Sequence, residues 1–127
     1  VTVESMTPRG DLPPVPQIDS VPCTVFQRTL ERVGQRWSGA VLFAAVAGAR
    51  RFGEYRRAVA GISDRMLALR LKELERDGFI EREVIPSTPV QILYRPTPAG
   101  AELMAALQPL ADWGQRHAPA LAEREQQ

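Results

Sequence analysis

The chain has 127 residues, 44% of them hydrophobic and 24% charged, which suits one small globular domain with its own core and leaves no length for a second. No run of 18 uninterrupted apolar residues occurs, so no membrane span is expected. The formal net charge of +1 excludes any nucleic-acid reading that rests on bulk charge, so such a reading needs an uneven distribution.

The first stretch, VTVESMTPRGDLPP, lacks the basic start and apolar run of a secretory signal. With Pro8, Pro13, Pro14 and Pro16 and little apolar periodicity, residues 1–21 read as a flexible arm. After Pro22 the apolar residues Phe26, Leu30 and Val33 recur at i, i+4, i+7, predicting an amphipathic first helix that ends at Gly34. The segment SGAVLFAAVA, Ser38 to Ala47, is apolar nearly all round and predicts a buried second helix closed by Gly48. A short third helix is expected from Arg51 to Val59, broken by Gly61.

The fourth helix carries most of the information. Ser63 is placed to cap it. At 100° per residue Leu67, Leu71 and Leu74 share one face, while Arg65, Leu69, Lys72 and Arg76 share the other. Gly78 suits a left-handed stop, with Phe79 folding back on Leu74. The period then changes. IEREVI and VQILYR alternate apolar and polar residues around PSTP, predicting a two-stranded ribbon. Thr97 and Pro98 open a last helix striped by Leu103, Leu107, Leu110 and Trp113, which Pro109 is expected to kink. Residues 119–127 read as a tail.

Charge is distributed unevenly along this order. Between Arg50 and Arg76 eight basic residues face four acidic ones, a local excess of +4. Every basic residue except Lys72 is arginine, whose planar fork suits phosphate and guanine. A helix-turn-helix followed by a β-ribbon is a winged helix, a mainly α fold over residues 22–118. Its fourth helix is held by leucines and offers a basic stripe to a major groove.

The residues that carry a resemblance are Cys23 at the first helix, Trp37 after VGQR, RRFGEYRR at 50–57 and GIS at 61–63. MLALRLKELERDGFIER at 66–82, Tyr94, TPAG at 97–100 and DWGQRH at 112–117 complete the set. In this order the chain resembles the HxlR-type winged-helix transcription regulators, relatives of the MarR group. The resemblance implies a homodimer on double-stranded DNA with an inverted-repeat operator, a recognition helix in each major groove and wings on flanking phosphates. It implies dimerisation through the first and last helices, which here carry Phe26, Leu30, Leu107, Leu110 and Trp113. It also makes Cys23 a candidate sensor, because similar proteins include regulators that sense oxidants, quinones or aldehydes through a cysteine at this place. The chain departs from the family at Ala68 and Leu69, usually polar, and at Val90 and Gln91, where the wing usually has a proline and a basic residue. Pro109 in the dimer helix is a third departure.

The expected DNA-facing set is Arg51, Ser63, Arg65, Ala68, Leu69, Lys72, Arg76, Gln91 and Arg95. Arg65 is placed to reach a guanine, Ala68 and Leu69 a thymine methyl, and Lys72 and Arg76 phosphate. Arg95 is expected to replace part of the missing wing charge. Arg70 reads as structural, paired to Glu54 or Glu73, and Asp64 as a helix-start residue. The bland reading of the basic stripe is a solvated helix face, and that of Cys23 a small residue near the dimer interface. Its being the single cysteine excludes a disulfide within these residues and fits a reducing cytoplasm. It leaves an intersubunit disulfide, a mixed disulfide or direct modification as the available chemistry.

The reading is a dimeric transcriptional regulator, a repressor released by a small-molecule effector or by modification of Cys23. A pocket for that effector is expected between the dimer helices and the DNA-binding core. A winged helix used for protein association, with Leu69 as a partner contact, is the alternative. An enzyme is not expected: one histidine, one cysteine, no metal-spaced cluster and no glycine-rich phosphate loop leave only a Cys23–His117 pair. No cofactor is expected.

Overall fold

The computed structural model describes residues 21–125, so all of the arm expected over residues 1–21 except Val21, and the last two residues, lie outside it; Val21 is the first residue of a helix. The chain divides after Val33 into two units. The described part of the first is one helix, α1 (Val21–Val33). The second holds α2 (Ser38–Ala47), α3 (Phe52–Ala58), α4 (Asp64–Arg76), a ribbon of β1 (Ile80–Ile85) and β2 (Gln91–Pro96), and α5 (Pro98–Glu125). This is the expected order, three helices, a basic-faced helix, a ribbon and a long helix.

The core of the second unit joins Val41, Leu42, Ala44 and Ala45 of α2 to Tyr55, Val59, Ile62, Leu67, Leu71, Leu74, Ile80 and Met104. Burial of each of Leu67, Leu71 and Leu74 of α4 contributes about 1.5–3 kcal/mol, and this fixes which side of the helix faces outward. The fully buried second helix is not found. Phe43 is 55% exposed and Val46 also stands out, while Val41, Leu42, Ala44 and Ala45 of the same helix lie in the core.

Helix ends follow local chemistry. Ser63 Oγ accepts the Met66 N–H at 3.1 Å, the expected cap of α4. At the other end Gly78 has φ +84°, Phe79 N–H reaches Leu74 O at 2.9 Å and Gly78 N–H reaches Glu75 O at 3.0 Å. Those two bonds are the Schellman pair, so the helix stops sharply. α2 stops through the same pair of backbone bonds, Ala49 N–H to Ala44 O at 2.9 Å and Gly48 N–H to Ala45 O at 3.2 Å, with Gly48 at φ +120°; Arg50 Nη1 adds a side-chain bond to Ala45 O at 2.9 Å and one to Ala49 O at 2.7 Å. Trp37 begins α2 with φ 77°, unusual for a bulky residue, while its ring packs on the core under the Arg36 guanidinium.

The ribbon is antiparallel, pairing Ile80 with Pro96 and Ile85 with Gln91. The outer edge of β2 is bonded to the α2–α3 junction. Tyr94 N–H donates to Arg50 O at 2.8 Å, and the Tyr55 hydroxyl donates to Tyr94 O at 2.8 Å. Thr97 joins the ribbon to α5: its hydroxyl donates to Gly78 O at 2.6 Å and accepts Gly100 N–H at 3.0 Å. α5 is assigned as one helix through both Pro109 and Pro119. Residues 119–125, expected as tail, are therefore helical. No described helix is long and apolar enough to cross a membrane.

Candidate nucleic-acid interface

Burial of Leu67, Leu71 and Leu74 leaves Arg65, Ala68, Leu69, Lys72 and Arg76 exposed along the outward side of α4. Arg65 and Lys72 make no hydrogen bond or ion pair among the described residues, and Arg76 stands 4.0 Å from Glu73 with most of its side chain in solvent. Ser63 is exposed at the helix start and keeps its hydroxyl proton for a further acceptor. Asp64 does not stand as a bare anion beside this row. Arg56 Nη1 of α3 lies 3.2 Å from both of its carboxylate oxygens, tying α3 to the first turn of α4. Arg70 is the structural residue expected: it pairs with Glu73, and its Nε donates to Arg36 O at 2.8 Å.

Arg51 sits before α3 as its N-cap. Glu54 Oε1 accepts both the Arg50 and the Arg51 backbone N–H at 2.9 Å, half of a capping box. The Arg51 and then the Arg50 N–H hold the Glu54 carboxyl below its ordinary value of 4.5. Its support of the α3 start is therefore present above about that value and is lost as pH falls through the lowered one. The Arg51 guanidinium is turned elsewhere, its Nη2 donating to Gln91 Oε1 at 3.1 Å. Two expected site residues, far apart in sequence, are thus brought together.

Arg95 is not a bare cation: its Nη2 donates to Glu83 Oε1 at 2.5 Å across the ribbon. Neither Glu83 nor the register that brings it to Arg95 was anticipated from the sequence. The Arg50 side-chain bonds to Ala45 O and Ala49 O were missed for the same reason, since the position of those carbonyls depends on the turn.

The expected dimer residues divide. On α1 Phe26 is 67% and Leu30 48% exposed; on α5 Leu110 is 58% and Trp113 46% exposed. Leu107 is half-buried and packs on the core beside Leu103. Trp113 stacks on His117 with ring centres 4.3 Å apart, and His117 Nδ1 is 2.9 Å from Trp113 O. His117 lies eight residues before the end of α5. Cys23 is half-buried near the start of α1. Among the described residues no group of three or more His, Cys, Asp or Glu side chains could hold a metal ion.

Residues 32–122 match the HxlR-like helix-turn-helix family. The chain belongs to that family. YodB of Bacillus subtilis, an HTH-type transcriptional regulator, is 37% identical over 91 residues, covering 72% of this chain and 81% of the relative. The structure of reduced YodB aligns with TM-score 0.67 and 36% identity over 74% of this chain and 92% of that one. The redox regulator HypR in its reduced form aligns with TM-score 0.71 and 33% identity over 78% of this chain and 98% of that one. This HxlR-like chain is a winged helix-turn-helix DNA-binding regulator of transcription, with α4 followed by the ribbon in the order in which that fold has its recognition helix and wing.

Proposed function

We propose that the protein is a homodimer that places one α4 in each of two successive major grooves of an inverted-repeat operator. The observation that carries this is the outward side of α4: Arg65 and Lys72 exposed and unpaired among the described residues, opposite three buried leucines. Arg65, one residue into the helix, reads a guanine, while Lys72 and Arg76 meet phosphate and give affinity its salt dependence. Ala68 and Leu69 between them meet thymine methyls. Occupancy of the operator represses transcription. Exposed apolar side chains on α1 and α5 support the dimer.

Release is proposed to come from oxidation or alkylation of the Cys23 thiolate, or from a small-molecule effector. Support comes from the relatives: HypR is a redox regulator, and YodB has been solved in reduced, diamide-treated and quinone-bound forms. Selection of the purified protein against a random duplex pool, with and without reductant, tests both parts. The expected result is an enriched inverted repeat, with binding lost on diamide treatment in wild type and retained in Cys23→Ser. Arg65→Ala is expected to relax preference at one base position, about 1–3 kcal/mol, and Lys72→Ala to weaken all sequences alike. No enrichment, with salt-insensitive capture of a protein partner, would point to the association module instead.

A further inference from the structure

We propose that the wing of this protein takes its phosphate-binding charge from another element: Arg51, at the start of α3, is the wing's anchor, and Gln91 at the ribbon tip positions it. The inference rests on the DNA-binding reading above.

The wing has no cation of its own at its tip. The loop and first residue of β2, PSTPVQ at 86–91, are uncharged. Side chains alternate along a strand, so Gln91, Leu93 and Arg95 share one face of β2 with Glu81, Glu83 and Ile85 of β1 opposite them. The arginine on that face, Arg95, is paired with Glu83. Arg82 points from the other face, three residues or about 10 Å from the end of β1. A tip built this way would approach the duplex without displacing a counterion.

Arg51 fills that gap. Its backbone is pinned by Glu54, whose carboxylate is turned to the two N–H groups and not to the guanidinium. Its side chain crosses to Gln91 Oε1, 40 residues away in sequence, and remains exposed. The guanidinium has five N–H donors and one goes to Gln91, so the rest of the fork is open to a phosphate. Gln91 acts through Arg51 by limiting where that long side chain rests.

Binding of the full chain to the duplex recovered by the selection is measured from about 50 to 200 mM salt. Arg51→Ala is expected to reduce the slope of log affinity against log salt by about 0.9 per protomer. Gln91→Met keeps the shape and removes the acceptor. It should weaken binding severalfold in wild type and have no effect in the Arg51→Ala background. Gln91→Lys in that background moves the charge onto the wing and should restore the slope although every Arg51 contact is still missing, which a folding defect would not allow. A wild-type slope in Arg51→Ala, or no restoration by Gln91→Lys, overturns the inference. If Lys72→Ala still flattens the slope in the same series, the DNA reading survives that failure. If no variant changes it, both fall.

Discussion

Tyr55 shows how one side chain serves both packing and the position of the wing. Its ring is fully buried, meets Tyr94 edge-on at 6.2 Å, and its hydroxyl donates to Tyr94 O at 2.8 Å. That carbonyl faces away from β1, so Tyr55 supplies the hydrogen bond the ribbon edge would otherwise lack. Tyr55→Phe is expected to lower stability by about 1 kcal/mol, because a part-buried carbonyl loses its donor. In denaturant unfolding the midpoint should fall while the slope is unchanged. Burial also pushes the Tyr55 phenol from 10.0 to about 12. A raised acid is protonated longer in the fold than in the unfolded chain, so its contribution is complete below pH 10 and is lost between there and about 12. Wild type should therefore lose more stability than Tyr55→Phe across that window, and a constant difference would contradict the assignment.

Among the elements, α4 was the most legible in the sequence. Its leucine spacing, its Ser63 cap and its Gly78 stop are local, and each was met. The ribbon was equally plain from its alternation. What the sequence did not expose depends on distant partners. Apolar residues all round α2 predict burial, but Phe43 and Val46 remain largely exposed. The Glu83–Arg95 and Arg51–Gln91 contacts require the strand register and the α3 start to be known together. Pro119 reads as punctuation, yet a proline within a helix removes one bond and does not by itself end it. Gly100 belongs to the same group of non-local effects. It lies in the first turn of α5, where an added Cβ would stand 2.1 Å from Phe79 O, and Thr97 N–H bonds that same oxygen at 3.0 Å. Gly100→Ala is expected to destabilise by about 1–3 kcal/mol through overpacking, against the helix propensity that favours alanine. Gly39 in α2 has nothing within 4 Å of its would-be Cβ, so Gly39→Ala should stabilise by about 0.5 kcal/mol. Opposite signs in thermal unfolding of the two variants would confirm the close approach at Gly100.

At the scale of the molecule, the proposed function needs two reading heads at a fixed spacing, since one α4 offers few base contacts. α5 is suited to join them: at 28 residues it runs about 42 Å at 1.5 Å per residue, and its middle carries the exposed Leu110 and Trp113. Large apolar side chains grouped this way in solvent mark an association surface. Replacing both residues with glutamate keeps good helix formers in place while putting like charges across any two-fold contact, where residue meets residue from each subunit. The double variant Leu110→Glu, Trp113→Glu is expected to sediment as a monomer with its helical content retained. Its affinity for a single half-site should stay near the intrinsic value of wild type. Its affinity for the inverted repeat should fall by about 100-fold, because the second half-site no longer binds at the high effective concentration that linkage provides. A variant that remains dimeric would move the interface off this part of α5. A monomer that holds the inverted repeat as tightly as wild type would show that one α4 with its Arg51-anchored wing reads the operator alone.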